Sequence, residues 1–128
     1  MPDAPTDQPH SGELAAAISD LTVQLLSDYT GRGPRRARTH ISGELVAVVV
    51  QDAMTKGERS LIRDGEQDRV LDTRHAFQRT MREDLAGGVA QITGREVVAF
   101  MSANHIDPDV GVEVFILAPD VAPARVAS

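Results

Sequence analysis

The chain of 128 residues is long enough for one compact domain, and its 41% of hydrophobic residues can form a buried core. It contains no cysteine, which excludes disulfides, zinc–thiolate sites and cysteine nucleophiles. A net charge of −6 and only 3% aromatic residues do not fit a nucleic-acid-binding domain. The longest apolar run, Leu45 to Val50, is too short to cross a bilayer, and the N-terminus has no signal-peptide pattern. We therefore expect a cytoplasmic protein without direct membrane insertion.

Both ends of the chain are rich in proline and contain no leucine, isoleucine or aromatic residue. Such composition is typical of segments that do not join a packed core. The sequence therefore predicts disordered tails at residues 1–10 and 119–128, on either side of a single domain of residues 11–118.

The first half of the domain predicts a helix followed by a β-hairpin. Apolar residues recur on one helical face over residues 11–29, and Gly31 suits the end of that helix. Residues 36–41 and 44–51 then predict two strands joined by a tight turn. The second of these strands is apolar on both faces, so it requires cover above and below.

The second half predicts two helices and another hairpin. Thr55 and Glu58 match a capping box, which begins a short helix ending near Asp64. A long helix is expected over residues 67–93, with a stripe formed by Val70, Arg74, Phe77, Met81, Leu85, Val89 and Ile92. Strands are predicted over residues 95–103 and 111–118. In the first of them, Val97, Ala99 and Met101 should share one face, with Val98 and Phe100 on the other.

The predicted order is thus α-β-β-α-α-β-β, an α+β two-layer sandwich with one long helix packed on a mainly antiparallel four-stranded sheet. A sheet covered on one side only should be polar on the other, but strands 44–51 and 111–118 are apolar on both faces. The spare apolar face must be covered by the short helix or by a second subunit. We expect a homodimer.

The first candidate binding site is a basic cluster that contains no acidic residue. Three of its cations alternate along one predicted strand, about 6.5–7 Å apart, and could hold an anion or an acidic partner. A solvated edge strand that discourages aggregation would show the same pattern. The cluster comprises Arg32, Arg35, Arg36, Arg38 and His40.

The second candidate site is the loop before the last strand. One imidazole and three carboxylates within nine residues could bind a divalent cation, although the spacing fails the calcium-loop pattern. Ordinary turn chemistry explains the Asp-Pro-Asp sequence equally well. The residues concerned are His105, Asp107, Asp109 and Glu113. No nucleophile elbow or other catalytic motif is present, so we predict no catalytic residues and no cofactor, and the sequence favours a non-catalytic protein without deciding the question.

The ordered set of motifs resembles the MpsC-like domain family, long described as a domain of unknown function. The resemblance rests on Tyr-Thr-Gly-Arg-Gly-Pro (29–34), Ser-Gly-Glu-Leu-Val (42–46), Met-Thr-x-x-Glu (54–58), Ile-Thr-Gly-Arg (92–95), Asn-His-Ile-Asp-Pro-Asp (104–109) and Val-Glu-Val-Phe-Ile-Leu (112–117). It implies a small cytosolic accessory protein linked to Na+-translocating membrane-potential generation or inorganic-carbon uptake, together with companion membrane proteins. The family supplies no catalytic residues.

The leading hypothesis is a non-catalytic regulatory binding protein that acts through the Arg-rich surface, with an ion-translocating membrane protein as its possible partner. A metal-binding hydrolase or metal sensor that uses the His105, Asp107 and Asp109 loop is the first alternative. A dimeric scaffold without a ligand is the second.

Overall fold

The structure, a computed structural model, describes residues 11–120. Its elements follow the predicted order and form an α+β fold with an antiparallel sheet of four strands, which confirms the predicted fold class. The predicted tail 1–10 and residues 121–128 lie outside the described residues. The elements are α1 (Ser11–Thr30), β1 (Arg36–Ser42), β2 (Leu45–Gln51), α2 (Lys56–Arg63), α3 (Gln67–Thr93), β3 (Val97–His105) and β4 (Val110–Leu117).

The sheet has the strand order β1-β2-β4-β3, so the two hairpins meet along β2 and β4. In that central pair Val46 stands opposite Phe115, and Val48 stands opposite Glu113. Burial alternates along both strands, because side chains in a strand point to opposite faces in turn. One face of the sheet is therefore buried, and the other is open.

Helices α1 and α3 pack together and cover the buried face. The core joins Ile18 of α1 and Met81, Leu85 and Val89 of α3 to the buried positions of β2 and β4, including Phe115. The apolar stripe predicted for α3 thus faces the core, since these residues recur at helical spacing. Within residues 11–120 no helix is both long and apolar enough to span a bilayer.

One glycine of α3 makes room for a leucine side chain of α1. A Cβ placed on Gly88 would lie 2.5 Å from Cδ2 of Leu21, whereas a Cβ on Gly87 would meet nothing within 4 Å. Glycine at position 88 therefore leaves room for the Leu21 side chain of α1 against α3. Both glycines lower the helix propensity of α3, but only Gly88 makes room for a neighbouring side chain.

Strand β3 differs in one respect from the predicted alternation. The register with β4 shifts between Val97 and Ala99, as in a β-bulge. Val97 packs against the core, whereas Ala99 and Met101 stand opposite Ile116 and Val114 on the open face, so the prediction that Val97 shares a face with Ala99 and Met101 is wrong. Val98, at the bulge, is 57% exposed. Beyond the bulge the alternation is regular, and Phe100 packs on Phe115 with ring centroids 5.1 Å apart.

Helix α2 begins with the predicted capping box. The Thr55 hydroxyl accepts from the Glu58 backbone N–H, and the Glu58 carboxylate accepts from the Thr55 backbone N–H. The helix packs against α3. On the open face of the sheet, Leu45 and Met101 remain 41% and 51% exposed. The sequence predicted that the short helix or a second subunit covers this face, and in the structure the short helix does not cover it.

Candidate functional site

The open face of the sheet, defined as the side turned away from α1 and α3, is apolar across β2, β4 and β3. The strand registers place its residues in rows that cross all four strands, for example Arg38, Val49, Val112 and Ala103. None of the β2, β4 or β3 positions on this face is acidic. They are Leu45, Ala47, Val49, Gln51, Val110, Val112, Val114, Ile116, Ala99, Met101, Ala103 and His105.

A basic edge borders this open face along β1. Arg36, Arg38 and His40 occupy alternate positions of the strand and are exposed, whereas Thr39 between them is buried on the helix side. Within residues 11–120 none of these three side chains forms an ion pair or a hydrogen bond. They line a shallow depression of about 210 Å³ together with Val49 and Gln51 of β2.

Arg35 extends the basic edge by one residue. Its backbone N–H donates to the carbonyl of Gln51 at 3.0 Å, which fixes the start of β1 beside the end of β2. Arg35 and Arg36 line a second depression of about 320 Å³ with Gln51 and Asp52. The structure therefore brings together Arg35, Arg36, Arg38 and His40 of the predicted basic cluster.

Arg32 is separate from that edge and holds the loop between β2 and α2. Its guanidinium donates to the backbone carbonyls of Asp52 and Met54, the latter at 3.0 Å, and lies 3.5 Å from the Asp52 carboxylate. Asp52 has a φ of 58°, which is unfavourable for a residue other than glycine, and its carboxylate also pairs with Arg59. Through these contacts Arg32 stabilises the loop between β2 and α2.

The residues of the predicted metal loop are divided between different surroundings. His105 belongs to the row of Val110 on the open face, and its Nδ1 lies 2.9 Å from the carbonyl of Pro108. Glu113 is on the buried face, and Asp107 is exposed in the turn. Among residues 11–120 no three His, Asp or Glu side chains converge to hold a metal ion.

Glu113 belongs to a buried hydrogen-bond network that links β3, β4 and α3. Ser102 donates to its Oε1, and the amide of Gln78 donates to its Oε2 at 3.1 Å. Gln78 and Asn104 also exchange two amide hydrogen bonds, of 2.9 and 3.0 Å. Burial raises the pKa of the Glu113 carboxyl, against the lowering effect of these donors and of Arg74.

Arg74 neutralises the acidic groups beside that network. Its guanidinium lies 3.5 Å from Glu58 of α2 and 3.8 Å from Asp109, and all three side chains are at least 87% buried. The other Asp109 oxygen accepts from the Met54 backbone N–H at 2.9 Å. The cluster thus ties α2, α3 and the start of β4 together.

The small cavity beside this cluster limits the molecules that could reach it. The cavity between Arg74, Gln78, Asn104 and Glu113 has a volume of about 30 Å³, which suits a water molecule rather than an organic substrate. Within the described residues, Arg74 Nε and Asp109 Oδ1 are buried without a hydrogen-bond partner. The cluster is therefore best explained as a polar part of the core.

Sequence patterns alone did not single out Gln78, Ser102 and Asn104 as members of a network. Gln78 follows Arg74 by four residues and precedes Met81 by three, so its place on the buried stripe of α3 could have been read from the periodicity. Ser102 and Asn104 lie on the same, covered face of β3 as Phe100. What periodicity does not supply is the strand register, which brings both residues opposite Glu113 and Gly111 of β4.

A comparison with protein families matches residues 10–119 to the family described as "Na+-translocating membrane potential-generating system (MpsC)". No curated protein and no solved structure matches the chain. The family match covers most of the sequence and the whole of the α-β-β-α-α-β-β arrangement. The chain therefore belongs to the MpsC family.

Proposed function

We propose that this protein is a cytoplasmic, non-catalytic accessory subunit of a Na+-translocating, membrane-potential-generating system, and that it works as a homodimer which binds an acidic segment of a partner protein. The family supports the association with such a system. The binding role rests on the chain itself, and above all on the basic edge of the sheet.

The single observation that carries the proposal is the row of Arg36, Arg38 and His40 on one edge strand. These side chains are exposed, have no partner among residues 11–120 and stand next to an apolar face. Guanidinium groups bind carboxylates in a two-pronged geometry, and the apolar strands beside them offer area for the rest of the segment. Arg35 adds a third guanidinium group at the same corner.

The buried cluster around Glu113 supports a non-catalytic role. Its carboxylate already accepts hydrogen bonds on both oxygens, and its neighbour Arg74 is enclosed by Glu58 and Asp109. A general acid or base must reach a substrate proton within hydrogen-bond distance. The 30 Å³ cavity beside Glu113 gives a substrate no room to do so.

The test is affinity capture from detergent-solubilised membranes, with identification of the bound proteins by mass spectrometry. The wild type should recover an ion-translocating membrane protein, and the double variant Arg36→Glu/Arg38→Glu should lose it. Recovery should also fall as the salt concentration rises, because exposed charges are screened. The matched control is Lys56→Glu/Arg79→Glu, which makes the same change in net charge at exposed positions outside the sheet.

Equal recovery by the two double variants would contradict the proposal. If the wild type bound small anions such as phosphate in a thermal-shift assay but recovered no protein, the same edge would be an anion site instead. Absence of both kinds of binding would leave a scaffold without a ligand.

A further inference from the structure

The two edges of the sheet differ in charge. The strand order β1-β2-β4-β3 leaves β1 at one edge and β3 at the other. Strand β1 carries Arg36, Arg38 and His40, and charged side chains on an edge strand discourage the addition of another strand. From Val97 to Asn104, β3 contains neither a charged residue nor a proline. The β3 edge therefore lacks the side chains that protect β1 against strand addition.

The outer side of β3 also offers unpaired backbone groups. In a sheet, alternate residues of a strand direct their N–H and C=O groups to opposite neighbours. Strand β3 pairs only with β4, and among residues 11–120 no backbone group of a helix or loop bonds to residues 97–105. The bulge interrupts the pattern between Val97 and Ala99. The regular outer edge thus runs from Ala99 to His105, about 24 Å, which is enough for a strand of ordinary length.

A small depression lies beside this edge, between β3 and α3. It has a volume of about 80 Å³ and is lined by Arg82 and Ala86 of α3 and by residues 97–100 of β3. The guanidinium carbon of Arg82 lies 5.7 Å from the ring centroid of Phe100. The volume exceeds the roughly 30 Å³ of one water molecule but is far below the roughly 300 Å³ of small-molecule pockets. The depression therefore suits a single side chain.

The charge of the depression favours an acidic side chain. Arg82 is exposed and is the one charged residue in the lining. Within residues 11–120 it forms no ion pair, although Glu83 and Asp84 follow it in α3 and Glu96 precedes β3. A glutamate placed here would lay its methylene groups on the Phe100 ring and its carboxylate against the guanidinium group.

We infer that the β3 edge binds an extended segment of a partner protein as a fifth strand, antiparallel to β3, with a glutamate of the segment opposite Phe100 and paired with Arg82. Residues directly opposite each other in adjacent strands share a face and have Cβ atoms about 4.5–5.5 Å apart, so this register brings the glutamate to the depression. Antiparallel pairing is slightly more stable per residue than parallel pairing. The site is separate from the basic edge on β1 and goes beyond the proposed function.

The register also predicts the other residues of the segment. Positions opposite Ala99, Met101 and Ala103 lie on the open face and should be apolar, because Met101 is 51% exposed and would be covered by them. Positions opposite Ser102 and Asn104 lie on the covered face beside polar side chains and should be small and polar. The pattern is thus apolar, threonine, apolar, threonine, apolar, glutamate, apolar.

Isothermal titration calorimetry with the peptide acetyl-Val-Thr-Val-Thr-Val-Glu-Val-amide tests the inference. Arg82→Glu should weaken binding by about tenfold or more, because it places two carboxylates together. Replacement of the peptide's glutamate by lysine should restore the affinity of that variant to within about threefold. The matched control is Lys56→Glu, the same change of charge at an exposed position of α2, which should bind as the wild type does. Absence of binding to the wild type at about 1 mM peptide overturns the inference.

Hydrogen exchange and a second peptide test the position and direction of the added strand. The peptide should slow exchange at alternate backbone amides between Ala99 and His105 and leave β1 unaffected. Slower exchange at β1 instead would overturn the site. The peptide acetyl-Val-Glu-Val-Thr-Val-Thr-Val-amide has the same composition with the glutamate at the other end, so it should bind about tenfold more weakly. Equal binding of the two peptides overturns the antiparallel register.

The inference and the proposed function can fail separately. At about 0.15 M salt, Arg36→Glu/Arg38→Glu should keep the affinity for the first peptide to within about threefold, because these side chains are on the other edge of the sheet. Loss of peptide binding in this variant but not in Arg82→Glu would refute the β3 site and support the basic edge. Binding that depends on Arg82, without capture of a membrane protein through Arg36 and Arg38, would support the inference and refute the accessory role.

Discussion

The side-chain amide of Gln78 in the middle of α3 donates a 3.1 Å hydrogen bond to the carboxylate of Glu113, which is 2% exposed on β4. The bond joins the helix layer to the sheet beside the two amide hydrogen bonds that Gln78 exchanges with Asn104. A buried carboxylate is stable only when donors compensate for its lost hydration. Gln78 and Ser102 supply that compensation, and burial still raises the pKa of Glu113.

Replacement of Glu113 by Gln should stabilise the protein near neutral pH. The folded-state pKa of Glu113 lies above its ordinary value of 4.5, so folding favours the protonated form. The protonated Glu113 side chain therefore stabilises the folded protein fully at pH values below 4.5. This stabilisation is lost as pH rises through the raised pKa. Glutamine keeps the shape and can bond Gln78 and Ser102 without a charge, so we expect a gain on the order of 1 kcal/mol.

Urea unfolding of the Glu113→Gln variant at a series of pH values measures this effect. The stability difference from the wild type should shrink toward zero as pH falls below the ordinary pKa of glutamate, about 4.3–4.5. The control is Glu83→Gln, the same substitution at an exposed position of α3. A variant that is less stable than the wild type at neutral pH would show that the ionised carboxylate is itself required.

The fold follows from patterns that depend on neighbours along the chain. Helix α3 keeps its predicted limits, because apolar residues recur from Val70 to Ile92 and Gly94 adopts the left-handed conformation that ends the helix. The two-sided apolar character of β2 and β4 likewise indicated a sheet with one face left to cover. Local periodicity therefore sufficed for the element order and for the open face.

The candidate sites depend on contacts that are distant in sequence, and there the predictions were incomplete. Arg32 is close to the strand arginines in sequence, but its guanidinium donates to backbone carbonyls 20 and 22 residues further along the chain. The bulge at Val98 could not be predicted from the alternation of apolar and polar residues, because a bulge interrupts that alternation without a sequence signal of its own. The homodimer and the binding role of the basic edge stay predictions.

Substitution of the two adjacent glycines by alanine should have opposite effects. A Cβ at position 88 would lie 2.5 Å from Leu21 Cδ2, so in Gly88→Ala the Leu21 side chain must move, which should lower the free energy of unfolding by about 1 kcal/mol. A Cβ at position 87 meets nothing, so Gly87→Ala should raise it by up to about 1 kcal/mol through helix propensity. Chemical denaturation of both variants measures the difference.

A double variant identifies the cause of the Gly88 effect. In a Leu21→Ala background the methyl groups that would clash are absent, so Gly88→Ala should become neutral or stabilising. If Gly88→Ala remained equally destabilising there, the close approach to Leu21 would not be its explanation.

Replacement of Arg32 should lower the stability of the fold, whereas replacement of Arg36 should not. Arg32→Ala leaves the partly buried carbonyls of Asp52 and Met54 without their donor and removes a cation from Asp52, so we expect a loss of about 1–3 kcal/mol. Arg36→Ala should change stability by less than about 0.5 kcal/mol, because Arg36 is exposed and has no partner among the described residues. Thermal unfolding of the two variants checks this, and equal melting temperatures would contradict the assignment of Arg32 to the loop.

Tyr29 offers a direct measurement of the contact between α1 and α3. Its hydroxyl donates to the Asp84 carboxylate at 2.6 Å, and this bond raises the pKa of Tyr29 above its ordinary value of 10.0. Tyr29 is the only tyrosine and the chain has no tryptophan, so a near-ultraviolet absorbance titration reports on this residue alone. The wild type should titrate above the ordinary value, and Asp84→Asn should shift the midpoint back toward it, since the acceptor charge that opposes ionisation is gone.

The same bond predicts how stability changes at high pH. Because the folded-state pKa is raised, the contribution of Tyr29 is present below the ordinary value and is lost as pH rises through the raised pKa. Tyr29→Phe should therefore be less sensitive to alkaline pH than the wild type, in parallel unfolding experiments at neutral and alkaline pH. An unchanged tyrosine midpoint in Asp84→Asn would show that solvent, rather than Asp84, governs the hydroxyl and that the α1–α3 contact at this point is loose.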